Sequence, residues 1–179
     1  MTGKPTMKQL VVFCLTLILT ACGSASLDEH GSTTPDLKLE EFFSGELKAY
    51  GMVQDRSGNL LRRFEVDLLG SWEGNKGKLE EWFRFDDGEK STRTWYLEKT
   101  EDNNYQGYAD DVIGVAKGQT SGSALYWTYE LEIEVDGSLY EVTLDDWMFL
   151  IDENRLFNVT EMTKFGFKVG TLTLYIERV

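Results

Sequence analysis

From residue 44 to the end of the chain, short stretches of alternating apolar and polar residues are separated by turn residues about every ten positions. Successive side chains of a β-strand point to opposite faces, so this alternation predicts strands with one buried and one exposed face. The clearest strand is 125–135, in which apolar residues occupy the odd positions and Glu130, Glu132 and Glu134 the even ones. Both prolines, Pro5 and Pro35, precede the region. The pattern therefore predicts an all-β domain.

The turns between these stretches are rich in Asp, Asn and Gly, which tolerate the backbone conformations that tight hairpins require. We expect about nine to eleven antiparallel strands, closed into an up-and-down barrel of the lipocalin type, because closure removes exposed sheet edges. A β-sandwich is the alternative. A short helical turn is expected within residues 37–43. The predicted turns lie at residues 55–59, 74–77, 86–88, 102–104, 136–137 and 152–154.

The N-terminal segment has the three parts of a secretory signal: lysines at positions 4 and 8, an apolar stretch from 10 to 19, and small residues before a cysteine. The apolar stretch is shorter than the roughly 20 residues that a transmembrane helix needs. The run Leu19-Thr20-Ala21-Cys22 resembles the lipobox of bacterial lipoproteins, in which the cysteine is acylated. We expect cleavage before Cys22 and anchoring through lipid on that residue; translation could begin at Met1 or Met7.

The residues after Cys22 bear on the location of the protein. In lipoproteins of this kind an acidic residue after the cysteine favours retention in the inner membrane, whereas Gly23 and Ser24 are not acidic. The expected location is the periplasmic face of the outer membrane, with the inner membrane as the alternative. The chain is thus divided into a signal peptide (1–21), an acylated cysteine with a flexible tether (22–38) and a single β-barrel domain (39–179).

Composition excludes several kinds of site. Cys14 leaves with the signal and Cys22 carries lipid, so the mature domain has no thiol, and the single histidine, His30, lies in the tether. We therefore expect no metal, no cofactor and no histidine or cysteine catalysis. The signal contains two of the 18 basic residues and none of the 31 acidic ones, which leaves 16 basic residues and a formal charge of −15. This charge argues against binding to nucleic acid.

Asp146 is the carboxylate that most needs an explanation. Continuing the alternation of Tyr140, Val142 and Leu144 places it on the apolar face, where a carboxylate must be hydrogen-bonded or paired, or its pKa rises. It can be a structural aspartate or the polar anchor of a ligand cavity. The candidate cavity residues are Trp127, Tyr129, Asp146 and Trp147; we assign no catalytic residue.

Four stretches of the chain, 42–51, 53–58, 145–154 and 161–167, resemble the domain of unknown function 3833, a family of proteobacterial lipoproteins. The resemblance spans almost the whole mature domain and includes the lipobox. It implies a lipocalin-like β domain. It supplies no activity and no catalytic residues.

Three functions remain open. The first is a non-catalytic envelope module that binds a small apolar ligand, such as a fatty acid or lipid, inside the barrel. The second is an interaction or structural protein that holds a protein partner, of unknown identity, through its outer wall. The third is an enzyme driven by carboxylates around Asp146, which the lack of a nucleophile motif disfavours.

Overall fold

The computed structural model describes residues 26–135 and 137–179, without the side chains of residues 134 and 135. The signal peptide and Cys22 lie outside the described residues. After a 3-10 helix (Leu27–His30) and a single turn of α-helix, α1 (Leu39–Phe42), the chain consists of ten strands. They are β1 (Gly45–Asp55), β2 (Leu60–Glu73), β3 (Lys76–Phe85), β4 (Lys90–Glu101), β5 (Asn104–Tyr108), β6 (Val112–Ser121), β7 (Ala124–Val135), β8 (Ser138–Asp152), β9 (Arg155–Lys164) and β10 (Phe167–Arg178).

The ten strands form a closed barrel in which each strand pairs with its neighbour in sequence and β1 pairs with β10. All pairs are antiparallel, so the barrel is of the up-and-down type, and both the predicted architecture and the predicted number of strands are confirmed. The alternation that predicted β7 is also confirmed, because Leu125, Trp127 and Tyr129 are buried inside the barrel. Among the described residues, no helix is long and apolar enough to cross a membrane.

One end of the barrel is closed by residues 36–44, which we call the plug. Its apolar side chains Leu37, Leu39, Phe42 and Phe43 are buried. Polar contacts fix it to the barrel: the Trp72 indole donates to the Phe43 carbonyl (3.0 Å), and the Glu40 carboxylate accepts from Lys99 (2.7 Å) and Tyr105 (2.8 Å). We call this the plug end and the opposite end, which carries the β1–β2, β7–β8 and β9–β10 turns, the distal end.

Residues 26–35, part of the segment 22–38 for which the sequence predicts a flexible tether, contact the barrel in the structure. The 3-10 helix lies against the outer wall, where the His30 ring packs on Phe149 with centroids 5.5 Å apart. Thr33 accepts hydrogen bonds from the backbone N–H (2.9 Å) and the hydroxyl (2.8 Å) of Ser123. The composition of this segment suggested a chain with little to bury, but a few aromatic and hydroxyl contacts are enough to dock it. Residues 22–25 lie outside the described residues.

Candidate functional site

The barrel interior contains a layer of polar residues between two apolar layers. On the plug side lie residues such as Leu79, Leu97 and Leu125, and on the distal side lie aromatic residues such as Phe64 and Phe83. Each of these polar residues occupies an inward-pointing position on its strand, where the neighbouring inward-pointing residues are apolar. The polar layer consists of Glu81, Arg93, Tyr129, Asp146, Asn158 and Thr160.

Glu81 and Arg93 form the charged half of the polar layer. They are directly opposite each other on β3 and β4, and Arg93 Nε donates to Glu81 Oε2 at 2.7 Å. A second carboxylate, Asp111, lies 3.6 Å from the same guanidinium. Burial by itself lowers the pKa of Arg93, but the charges of Glu81, Tyr129 and Asp111 outweigh it and raise the pKa. Arg93 therefore stays positively charged, and the carboxylates of Glu81 and Asp111 already neutralise its charge.

Asp146 forms the other half. It lies on β8 opposite Trp127 of β7 and Thr160 of β9, and the Thr160 hydroxyl donates a hydrogen bond to its Oδ1. Burial raises the pKa of Asp146 to about 6, while Thr160, Arg93, Tyr129 and Asn158 act in the opposite direction. Asp146 thus changes its charge in a mildly acidic range, unlike an exposed aspartate.

A cavity of about 90 Å³ lies between the polar layer and the plug. This volume is far below the ~300–1,000 Å³ of ordinary small-molecule sites. Phe43 and Leu39 of the plug form part of its wall. The cavity has one polar side and an otherwise apolar and aromatic lining.

The structure brings three of the four predicted cavity residues together. Trp127, Tyr129 and Asp146 line the interior cavity, although a role in binding stays a prediction. Trp147 corrects the fourth assignment. It follows Asp146 on β8, so its side chain points to the opposite face, where it stacks on Phe149 on the outer wall (centroids 6.0 Å apart).

Sequence reasoning missed the partners of Asp146. Glu81 and Arg93 share the inward register of Leu79 and Trp95, respectively, so each is a charged residue at a position where the pattern predicts an apolar one. Charged residues at inward-pointing positions on two successive strands indicate a buried ion pair, and the sequence shows them. Thr160 gave a weaker signal, because threonine is common in β-strands.

Replacing Asp146 with asparagine should remove one pH dependence of stability. Below its ordinary pKa of 3.8, Asp146 is protonated in both the folded and the unfolded states. As pH rises towards about 6, the unfolded state loses this proton first, so the free energy of unfolding falls. The expected fall in wild type relative to Asp146→Asn is ~2 kcal/mol between pH 4 and pH 7.

Urea unfolding across this pH range measures the difference. Asp145→Asn is the matched control, because Asp145 is the preceding residue on β8, lies on the outer wall and accepts a hydrogen bond from Tyr126. The control should keep the pH dependence of wild type. Parallel pH profiles for wild type and Asp146→Asn would contradict the assignment.

The fold and the interior define a lipocalin-like barrel with a buried polar layer. Comparison with families makes this more specific: the DUF3833 family, described as a protein of unknown function, matches residues 16–178, and the chain belongs to this family. The resemblance predicted from the sequence is confirmed. No curated protein matches the chain.

Solved structures agree on the fold. The S-type phycobiliprotein lyase CPES from Guillardia theta superposes with a TM-score of 0.55 and 13% identity, covering 87% of this chain and 98% of that one. A protein with unknown function of the DUF3598 family from Nostoc punctiforme gives a TM-score of 0.54 and 14% identity, covering 82% of this chain and 51% of that one. At these identities the similarity concerns the barrel fold alone.

Proposed function

We propose that this protein is a lipoprotein anchored through Cys22 to the periplasmic face of the outer membrane, where its barrel binds a small amphipathic ligand without transforming it. The observation that carries the proposal is the polar layer beside the cavity. Buried charged groups stabilise a fold less than well-packed apolar residues do, so their presence in a barrel interior favours a role beyond stability.

The charges of the polar layer indicate the kind of ligand. Three carboxylates, Glu81, Asp111 and Asp146, lie near one guanidinium, and Arg93 is already paired with Glu81 at 2.7 Å. A free fatty acid would have to displace Glu81 to reach Arg93, leaving one carboxylate unpaired. A neutral or cationic group that donates a hydrogen bond to Asp146 meets no such competition. We therefore propose a lipid or other apolar ligand with a hydroxyl, amide or amine group.

The size of the cavity limits how such a ligand is held. A volume of about 90 Å³ is too small for a whole lipid and suits only its polar end. We propose that a longer apolar chain leaves the cavity past Leu39 and Phe43, which requires the plug to move. The plug is a short segment held to the barrel by hydrogen bonds of Glu40, Phe43 and other residues, and we propose it as the entrance because it forms the wall of the cavity at this end.

Native mass spectrometry of the acylated protein after mild extraction tests the proposal. Leu68 is 5% exposed and lines the cavity, whereas its neighbour Leu69 is 41% exposed on the outer wall. We expect a bound ligand in wild type and in Leu69→Trp, and its loss in Leu68→Trp, because the larger indole occupies the cavity. Ligand-free wild type, or equal binding by both variants, would refute the proposal. The acyl mass in the same spectrum tests the anchor separately.

The outer wall favours a second function, attachment to a protein partner. Trp147, Phe149 and Val159 border a groove of about 790 Å³ beside the 3-10 helix. Partly exposed aromatic residues of this kind are common in protein interfaces. A photo-crosslinking residue at Val159 in the periplasm should then capture one stoichiometric partner, whereas the same residue at Ile151, near the plug end, should not.

A further inference from the structure

The β9–β10 hairpin exposes aromatic residues at the distal end. Phe165 is 89% exposed and Phe167 is 76% exposed, and Leu139, at the start of the adjacent β8, is 64% exposed. The two turns lie at the same end because β8 and β9 are antiparallel, with Thr143 opposite Thr163. Exposed apolar side chains grouped in this way mark a surface that contacts something other than water.

The conformation of the hairpin loop also indicates that its exposed aromatic residues have a function. Lys164 and Phe167 are the last opposed residues of the β9–β10 ladder, which leaves the two-residue loop Phe165-Gly166. Phe165 and Gly166 both have positive φ (53° and 77°). Such loops favour asparagine, aspartate or glycine at the first position, whereas a bulky side chain there is strained. The hairpin therefore keeps an exposed phenylalanine at a position where asparagine would be more stable, which indicates a function for the aromatic ring.

The charge of the hairpin differs from that of the chain. Residues 162–169 contain two lysines and no acidic residue, whereas the whole chain has a net charge of −13. Lys164 Nζ lies 3.7 Å from the centre of the Tyr140 ring, and Lys168 Nζ lies 3.3 Å from Glu161 at the surface. Aromatic residues next to lysines suit a bilayer interface, because the rings enter the headgroup region while the amines reach the phosphates.

The path of the chain brings the proposed anchor close to this hairpin. Leu27 borders the same outer groove as Lys168 and Thr171 of β10, so the described chain begins on the wall that leads to the hairpin. Cys22 precedes Ser26 by four residues, a span of at most about 14 Å. Lipid on Cys22 and the side chain of Phe167 can therefore reach one membrane surface together.

We infer that the tip of the β9–β10 hairpin inserts into the lipid interface, with Phe165, Phe167 and Leu139 at the acyl boundary and Lys164 and Lys168 at the phosphates. This inference rests on the proposed acylation of Cys22 for the choice of membrane, but not for the insertion itself. One acyl anchor and one aromatic hairpin fix the orientation of the barrel, with the distal end towards the bilayer and the plug end away from it.

A fluorescent label at the hairpin tests the insertion. The mature chain has no cysteine besides Cys22, so Phe167→Cys provides one thiol for a nitrobenzoxadiazole label in the acylated protein. Ile151→Cys is the control, because Ile151 is 51% exposed near the plug end. With vesicles of phosphatidylethanolamine and phosphatidylglycerol, the emission maximum of the label at residue 167 should shift to shorter wavelength. When the vesicles contain nitroxide-labelled lipids, the nitroxide should quench most of this emission. The label at residue 151 should do neither.

Equal emission from the two labels would overturn the inference, including the case in which a protein rather than lipid covers the hairpin. Mass spectrometry of the same sample shows whether Cys22 is acylated, which separates failure of the anchor from failure of the insertion. Adding Phe165→Asn to the Phe167→Cys protein should reduce the quenching and raise the Tm, because Asn-Gly suits the turn. A purely structural role for Phe165 predicts a lower Tm and unchanged quenching.

Discussion

Replacing Arg93 with methionine lowers the free energy of unfolding by ~3–5 kcal/mol at neutral pH, because removing one partner of a buried ion pair leaves an uncompensated charge. Here Glu81 would remain buried without its guanidinium, and Asp146 would lose a cation that favours its ionised form. Urea unfolding followed by tryptophan fluorescence measures the loss.

Two variants decide whether this loss comes from burial. Arg84→Met removes an arginine that also pairs with carboxylates on β2 but lies half-exposed on the outer wall, so its cost should be ~0–1 kcal/mol. The double variant Glu81→Met with Arg93→Met replaces the whole pair by apolar side chains and should recover most of the stability. Similar losses for Arg93→Met and Arg84→Met would show that the interior pair is not special.

Replacing Gly70 with alanine displaces the plug. A Cβ atom at Gly70 would lie 2.0 Å from the carbonyl oxygen of Phe43 and 2.7 Å from its carbonyl carbon, and backbone atoms of a fixed segment cannot yield cheaply. The expected loss of stability is ~3 kcal/mol, at the upper end of the usual cost of overpacking. Binding of an apolar dye should rise, because Leu39 and Phe43 become exposed.

Ser71→Ala serves as the control, because Ser71 is the next residue of β2 and is exposed on the outer wall. It should leave both stability and dye binding unchanged. Limited proteolysis gives a further reading: cleavage within residues 36–44 should accelerate in Gly70→Ala only. Unaltered proteolysis together with wild-type stability would mean that the plug adapts to the added methyl group.

The fold was predictable because each strand of the barrel has one buried face and one exposed face, which produces alternating apolar and polar residues in the sequence. In β7 the alternation is strict, and each inward position from Leu125 to Tyr129 is buried. In β6 the signal is weaker, because glycines at positions 114 and 118 interrupt the apolar face. The register between β1 and β10 could not be predicted from local pattern, since it joins residues more than a hundred positions apart.

The site was predictable only in part. The inward position of Asp146 follows from alternation along one strand, so a single stretch of sequence reveals it. Its environment depends on register between strands, which brings Thr160 of β9 and Trp127 of β7 beside it. Trp147 lies on the outer wall because it directly follows Asp146 on β8, and neighbouring residues of a strand point to opposite faces.

The docked 3-10 helix would have a mechanical consequence for the anchoring at Cys22 that we propose. Tension on the lipid anchor would first load the contacts of His30 with Phe149 and of Thr33 with Ser123. These contacts can separate one after another, whereas β1 is hydrogen-bonded along its length to both β2 and β10. Under tension the segment before the plug would therefore detach and extend first, while the strands of the barrel stay paired.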